Sequence, residues 1–199
     1  MTSRIHCIHA LDVPRLGCMS FLPITNYDDL KPDARAASDR QIELHGGGMT
    51  NMKATLLGNL PSFTAYMQWY TLREEIAPWI GERAVTLFSY AISDANDCLI
   101  CSAFFRKLLV DSGDDPDSPE VTETEQLLMD WGRLIATSPH EIPQEFYDRL
   151  EAAFGPERRL TLLAFAGQMV ATNVLNTVGK IPLDEALYEY RKPGDTRTV

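Results

Sequence analysis

Apolar residues recur every three to four positions along most of the chain, which is the period of an amphipathic α-helix. Alternation of apolar and polar residues, the pattern of a half-buried strand, is weak throughout. Proline, glycine and small polar residues divide the chain where helices are expected to begin and end. The pattern predicts helices over residues 32–45, 51–57, 63–77, 84–92, 98–111, 121–137, 143–153, 156–178 and 182–190. We therefore expect an all-α fold.

Two of these segments resemble each other. Residues 82–91 and 157–166 both begin with Glu-Arg and continue as an apolar helical run, at an offset of 75 residues. The same offset pairs two cysteines of the first half with two asparagines of the second: Cys98 with Asn173, and Cys101 with Asn176. Chance agreement between two apolar helices is the alternative explanation. We predict an internal duplication in which antiparallel helices pack together.

The duplication defines the expected domain organisation. Residues 1–45 are interpreted as an N-terminal extension and residues 46–199 as one helical domain. The two pseudo-repeats within this domain are predicted at about 50–115 and 120–190. Between them, residues 111–125 contain seven acidic residues, two prolines and no basic residue, which is typical of a solvated connector.

The composition excludes several kinds of partner. The formal net charge of −10 disfavours binding to nucleic acid or to an anionic membrane surface. The most apolar stretch, residues 160–178, contains Gly167, Gln168 and two asparagines, so it reads as a buried helix rather than a membrane span. The first residues lack the apolar core of a signal peptide, so a cytoplasmic location is expected.

The strongest candidate chemistry lies in the Cys-x-x-Cys sequence formed by Cys98 and Cys101. Two thiols three positions apart on a helix share one face, where they could form a disulfide, bind a metal or simply pack. A helix N-terminus stabilises a thiolate through its free amides and dipole. Capping by Asp94, Asn96 or Asp97 would place Cys98 in the first turn. However, the carboxylate of Asp97 would disfavour the thiolate if it pointed the same way.

Other candidate sites are weaker. His6, Cys7, His9 and Cys18 are metal-ligand residue types, but their spacing matches no standard zinc pattern. A structural zinc that combines Cys7 and Cys18 with the later cysteines is likewise disfavoured. The glycines at 46–48 follow no predicted strand and precede no Gly-Lys-Ser/Thr sequence, so they indicate a helix stop rather than a phosphate-binding loop. We expect no metal and no cofactor.

Three features together resemble the alkylhydroperoxidase D and carboxymuconolactone decarboxylase superfamily. The first is the Cys-x-x-Cys sequence with an alanine-containing apolar helix before it. The second is residues 57–63, Leu-Gly-Asn-Leu-Pro-Ser-Phe, which look like the opening helix segment of the family. The third is the Asn-x-x-Asn sequence at 173–176, near the end of a late apolar helix. The resemblance covers residues 50–190, about two thirds of the chain.

The resemblance implies a fold, an activity and partners. The fold would be an antiparallel helical bundle that assembles as a homo-oligomer, either a dimer, a trimer or a hexamer. The activity would be that of an antioxidant, peroxidase-related oxidoreductase that reduces small hydroperoxides and is regenerated by a dithiol. Cys101 would attack the peroxide and Cys98 would resolve the product as a disulfide.

The sequence departs from the family pattern at the positions that move protons. The relay histidine of the family falls on Phe105, and a residue between the cysteines that is often histidine or tyrosine is Ile100. The upstream glutamate falls near Thr86 or Ala84, with Glu82 as the nearest acid. Glu82 and Phe105 are therefore candidate proton-relay or pocket residues.

These departures leave two alternatives to an oxidoreductase. One is a non-enzymatic helical assembly or small-molecule-binding protein that keeps the fold, with the cysteines as packing residues. The other is a pocket of different chemistry lined by aromatic residues at helical spacing: Tyr66, Trp69, Tyr70 and Phe105.

Overall fold

A computed structural model describes residues 20–46 and 48–199 of the protein. These residues form eight α-helices and no β-strand, so the predicted all-α fold is confirmed. The helices are α1 (Pro32–His45), α2 (Asn51–Leu56), α3 (Leu60–Ile80), α4 (Glu82–Ala95), α5 (Leu99–Asp111), α6 (Glu123–Thr137), α7 (Gln144–Ala153) and α8 (Pro156–Val178). Short 3-10 helices span Tyr27–Asp29 and Glu185–Tyr190.

Local sequence explains most helix ends. The Thr122 side chain caps α6 in a capping box with Glu125, which satisfies two otherwise free backbone amides. Gly113 follows α5 with a φ of 89°, the left-handed conformation that a glycine adopts at little cost. The predicted end of this helix at residue 77, directly before Pro78, is wrong, because α3 continues to Ile80. Proline fixes φ at a helical value, and at this position it removes only one backbone bond close to the end of the helix.

The last predicted helix, over residues 182–190, is not an α-helix in the structure. This segment contains a 3-10 helix over Glu185–Tyr190 and no α-helix. It packs against the start of α5 through a buried apolar cluster. The members of this cluster are Leu99, Ile100, Ala103, Ile181, Leu183 and Leu187. The C-terminal segment therefore covers the cysteine-bearing end of α5.

The core is built around α4, which buries nine of its fourteen residues. Phe88 lies between Trp131 of α6 and Phe165 of α8, with ring centroids 6.1 Å and 6.0 Å away. Gly132 allows α6 to approach closely, since a Cβ there would lie 2.9 Å from Ile92 Cγ1. Helices of both predicted pseudo-repeats thus share one core; the duplication itself stays a prediction.

The described part of the N-terminal extension packs on the helical domain. Leu30 and Ala34 join a buried cluster with Leu56, Leu57 and Phe63 of the following helices. The metal-ligand residue types at positions 6, 7, 9 and 18 lie outside the described residues.

The acidic connector is held in place by two arginines rather than being solvated along its whole length. Arg83 donates to both oxygens of Asp114 at 2.9 Å and to Glu125 at 2.6 Å. Arg106, which is buried, donates to both oxygens of Asp117 at 2.6 Å and 2.9 Å. The Arg83–Asp114 and Arg106–Asp117 pairs are charge-assisted and bidentate, the geometry in which an arginine–carboxylate contact is strongest.

Candidate functional site

The thiols lie at a break between α4 and α5. Asp97 has a φ of 53°, its N–H donates to Asp94 O, and the Cys98 N–H donates to Ser93 O. These two bonds form a Schellman motif, which ends α4 with a left-handed residue. Cys98 is then the N-cap residue of α5. The expectation that Asp94, Asn96 or Asp97 caps this helix is therefore wrong, because all three residues belong to the end of the preceding helix.

The carboxylate of Asp97 points away from the thiols. Its side chain is 80% exposed, and both of its oxygens accept hydrogen bonds from Arg197 at 3.0 Å. Since the arginine balances its charge in solvent, Asp97 has little power to disfavour a Cys98 thiolate. The sequence alone does not show whether the Asp97 carboxylate faces the thiols. In the structure, the turn directs this side chain outward.

Cys98 and Cys101 are free thiols, exposed to 1% and 6%. The Asn176 side chain of α8 donates a hydrogen bond from Nδ2 to Cys101 Sγ at 3.1 Å. Beside it, Ser93 Oγ of α4 donates to Asn173 Oδ1 at 3.2 Å. The paired cysteines of α5 and the paired asparagines of α8 thus meet in the interior of the protein.

Each thiol shifts the pKa of the other. Hydrogen bonding from the Cys101 thiol lowers the pKa of Cys98, against the opposing effect of burial, and the Cys101 amide, Thr177 and Asn176 lower it further. The pKa of Cys101 is raised because its thiol donates to Cys98 and is buried. When the pair loses one proton, the charge therefore rests on Cys98 and the remaining proton stays on Cys101.

A cavity of about 120 Å³ opens next to Cys101. Its walls come from α2, α3, α5, α8 and the C-terminal segment. Most of the lining residues are aromatic or apolar: Met52, Tyr66, Met67, Trp69, Tyr70, Ile100, Phe104, Phe105, Met169 and Leu187. Cys98 does not line it. Cys101 is therefore the thiol that a molecule in this cavity would touch.

Four polar residues complete the cavity wall besides Cys101 and Asn176: Thr50, Lys53, Thr172 and Asp184. Asp184 is held from the side, because Asn51 N–H donates to its Oδ1 at 2.8 Å. Burial raises the pKa of Asp184, although the Asn51 amide and the Lys53 charge oppose this effect. Lys53 is buried, with its ammonium 5.4 Å from the ring centroid of Tyr70.

The structure places the predicted site residues in two groups. Phe105 lines the cavity and packs at 6.5 Å from the Trp69 ring, so the position that would hold a relay histidine does face the site. The aromatic pocket predicted from Tyr66, Trp69, Tyr70 and Phe105 is one wall of the same cavity. Glu82 lies elsewhere: it is exposed at the far end of α4 and pairs with Arg73. A proton relay through Glu82 has no support from this geometry.

Sequence reasoning missed the polar wall of the cavity. The sequence pairs Asn176 with Cys101 by the 75-residue offset and places it in a family motif, but it does not show that the two side chains are in contact. Two asparagines inside an apolar helix are themselves a signal for a buried polar contact. Lys53 and Asp184 gave no signal, because they are 131 positions apart and meet only through the fold.

Two further properties bear on the site. Among residues 20–46 and 48–199, no three His, Cys, Asp or Glu side chains are grouped as a metal site requires. Within the same ranges, no helix has both the length and the apolar character needed to cross a membrane.

No protein-family model matches the sequence, and no curated protein matches it. Solved structures do match. One is an uncharacterized peroxidase-related protein with an alkylhydroperoxidase AhpD core from Ralstonia eutropha JMP134, with a TM-score of 0.67 and 17% identity over 85% of this chain and 94% of that one. Another is an uncharacterized peroxidase-related protein from Silicibacter sp. TM1040, with a TM-score of 0.70 and 14% identity over 85% and 94%.

A third similar structure is the debrominase Bmp8 in its apo form, with a TM-score of 0.70 and 17% identity over 85% of this chain and 95% of that one. A Bmp8 variant with a cysteine replaced by alanine, in complex with 2,3,4-tribromopyrrole, also matches, with a TM-score of 0.69. At these identities the likeness shows the fold alone. It confirms the alkylhydroperoxidase D-like all-α fold that the sequence resemblance implied.

Proposed function

We propose that this protein is a thiol-dependent reductase in which Cys101 attacks an electrophilic substrate and Cys98 resolves the product as an intramolecular disulfide. One observation carries the proposal: Cys101 lines an apolar cavity and accepts a hydrogen bond from Asn176, while Cys98 lies behind it at the head of α5. The accessible thiol is thus the attacking group, and the shielded thiol is its partner.

The pair can supply its own proton transfer. With one proton between them, Cys98 carries the thiolate and Cys101 the thiol, as the directions of their pKa shifts require. Attack by Cys101 therefore moves its proton to Cys98, over the contact between the two side chains. Cys98 in this way takes the role that a histidine at position 105 would play, where this protein has Phe105.

The substrate class we favour is an organic hydroperoxide. The Cys101 sulfur bonds to the terminal oxygen, its proton passes to Cys98, the O–O bond breaks, and the alkoxide leaves and takes a proton from water. The Cys98 sulfur then displaces the hydroxyl from the Cys101 sulfenic acid, so that a disulfide forms and water leaves. The hydroperoxide gains two electrons, the dithiol is oxidised, and an external dithiol reduces the disulfide by exchange.

The apolar walls favour an organic substrate over hydrogen peroxide, because burial of apolar surface is the main source of affinity in such a cavity. An aryl halide is a second oxidant of suitable shape, and a debrominase is among the proteins with this fold. In that reaction the same dithiol would become a disulfide, while the carbon–bromine bond would be replaced by carbon–hydrogen and bromide would leave.

A second candidate function is ligand binding without turnover. It is supported by the near-complete burial of both thiols and by Phe105 at the relay position. In that case the cysteines are packing residues and the cavity alone has a role.

The test traps the intermediate in a background where Cys7 and Cys18 are replaced by serine, so that only the site cysteines react. Reduced protein is treated with one equivalent of cumene hydroperoxide in the presence of dimedone, which labels sulfenic acids. We expect Cys98→Ser to accumulate dimedone on Cys101, more slowly than the parent protein is oxidised because the proton acceptor is lost with the resolving thiol. The parent protein should form the Cys98–Cys101 disulfide instead. Cys101→Ser should neither be labelled nor consume the hydroperoxide.

Three results would contradict the proposal. Hydroperoxide consumption unchanged in Cys101→Ser would exclude the assigned roles. Label on Cys98 in the Cys101→Ser protein would reverse them. Thiols that react only after addition of denaturant would favour ligand binding without turnover. Repeating the test with 2,3,4-tribromopyrrole and measuring released bromide distinguishes the two oxidant classes.

A further inference from the structure

The cavity contains a buried cation that the thiol chemistry does not use. Lys53 of α2 is only 8% exposed and lines the cavity. None of the ion pairs formed within residues 20–46 and 48–199 includes it. A mostly buried lysine without an ion-pair partner is costly, so a ligand that brings a negative charge into the cavity would be stabilised there.

The surrounding residues compensate Lys53 only in part. The Tyr70 ring, 5.4 Å away, offers its negative face to the ammonium, but a ring face does not satisfy three N–H donors. Asp184 lines the same cavity, yet its carboxylate forms no ion pair with Lys53, and its Oδ1 is taken by the Asn51 amide. The Lys53 charge lowers the pKa of Asp184, so this carboxylate offsets the charge in part without forming an ion pair.

The rest of the cavity suits a compact apolar body. A cavity of about 120 Å³ is close in size to the roughly 150 Å³ apolar cavity that holds a benzene molecule. Trp69, Phe104 and Phe105 form the apolar wall, and Cys101 lies on the same surface. Lys53 and Cys101 line the same cavity, so a bound molecule can touch both.

We propose that Lys53 binds a carboxylate on a ring-sized apolar substrate and thereby orients the reacting atom toward Cys101. The inference deepens the proposed function, on which it rests for the role of Cys101, by naming the substrate class: an aryl or short alkyl compound with one carboxylate. Recognition combines a charge-assisted hydrogen bond to Lys53 with burial of the ring among aromatic side chains.

The experiment measures binding rather than turnover, so it stands apart from the redox chemistry. Benzoate and benzyl alcohol, which share a ring but differ in charge, are titrated into the full-length Cys101→Ser protein by isothermal titration calorimetry. We expect benzoate to bind at least tenfold more tightly than benzyl alcohol. Adding Lys53→Met should weaken benzoate binding at least tenfold and leave benzyl alcohol within about twofold.

Two matched variants serve as controls. Lys53→Arg keeps the charge and should keep benzoate affinity within about threefold. Lys107→Met removes a partly exposed lysine of α5 that does not line the cavity and pairs with Asp111, and it should change neither affinity. Circular dichroism verifies the fold of each variant, and Lys53→Arg provides the comparison if Lys53→Met fails to fold.

Three outcomes would overturn the proposal. These are equal benzoate binding in the parent and Lys53→Met proteins, equal binding of benzoate and benzyl alcohol to the parent, and no benzoate binding at millimolar concentration. Failure of the proposed function would instead appear in the dimedone experiment, where the thiols would not react. The two failures are therefore distinguishable.

Discussion

The α4–α5 segment and α8 begin alike and end differently. Both start with Glu-Arg and an apolar run at an offset of 75 residues. In the first segment the helix stops after Ala95 and a new one starts at Leu99, whereas α8 continues without a break to Val178. The residues that carry the proposed chemistry lie at the position where the two segments diverge.

The break arises from backbone conformation at one residue. Asp97 adopts a left-handed φ and ends α4, while Thr172, at the equivalent position by offset, continues α8 and donates from its hydroxyl to Gln168 O. A new helix N-terminus follows the break, and its free amides favour a thiolate on Cys98. A continuous helix offers no such amides at Asn173. The comparison teaches that the break, rather than the apolar pattern, creates the thiol site.

The two segments also meet. Asn176 and Cys101, which are 75 positions apart, are in hydrogen-bond contact. Contact between equivalent residues is expected where two copies of a unit pack around a local two-fold axis. This contact agrees with the predicted duplication.

The largest effect is expected from a substitution that prevents the left-handed conformation at position 97. Proline at position 97 would require a φ near −65° in place of 53° and would remove the N–H that donates to Asp94 O. Asp97→Pro should therefore lower the free energy of unfolding by about 3 kcal/mol or more. Urea denaturation measures this as a lower midpoint.

Asp97→Gly is the matched control, because glycine adopts a positive φ readily. It loses only the exposed contact to Arg197 and should stay within about 1 kcal/mol of the parent protein. Equal destabilisation by proline and glycine would show that the left-handed turn is not what separates the two helices.

A smaller effect is expected when the asparagines of α8 are replaced. Asn176→Leu removes the donor to Cys101 and a group that lowers the pKa of Cys98, so oxidation by cumene hydroperoxide should slow roughly tenfold. Stability should change little, since Asn176 Oδ1 is buried without a hydrogen-bond partner. Stopped-flow measurement of a single oxidation gives the rate, and urea denaturation gives the stability.

Asn173→Leu makes the comparison sharper. Asn173 accepts from Ser93 rather than from a thiol, so its loss should leave the oxidation rate unchanged. Its Nδ2 is also buried without a partner among the described residues, but the substitution leaves the buried Ser93 hydroxyl without an acceptor, which should cost about 1–2 kcal/mol of stability. If Asn176→Leu and Asn173→Leu were both oxidised at the rate of the parent protein, neither asparagine would act on the thiols.

The helices could be predicted from the sequence because their apolar period and end residues are local. The start of α5 was predicted to within one residue, but its cap was assigned wrongly, since Asp94, Asn96 and Asp97 are all good N-cap residues and only the packed structure shows that they end α4. The Cys-x-x-Cys pair was found for a similar local reason. Its spacing keeps the two thiols within one turn of each other, whether Cys98 lies in the first turn of the helix or at its N-cap.

The polar wall of the cavity was beyond prediction for the opposite reason. Asp184 reaches the site only because Asn51 holds it and the C-terminal segment covers α5. Lys53 on its own reads as an ordinary surface residue of a short helix. The prediction that Glu82 relays protons, made from its spacing before Cys98, is not supported, because the two residues do not lie close together. Glu82 is at the far end of α4, about 20 Å along the helix axis from the break.

The most direct test of the central claim is the pH dependence of disulfide formation between Cys98 and Cys101, in the background without Cys7 and Cys18. Reduced protein is mixed with excess cumene hydroperoxide, quenched at intervals and analysed by mass spectrometry. The lowered pKa of Cys98 means that the thiolate forms at lower pH than in an ordinary cysteine, whose pKa is about 8.5. The account predicts a rate that rises with pH, is half-maximal below pH 8 and then levels off. A rate that keeps climbing through pH 8.5, or the absence of the disulfide, would contradict it.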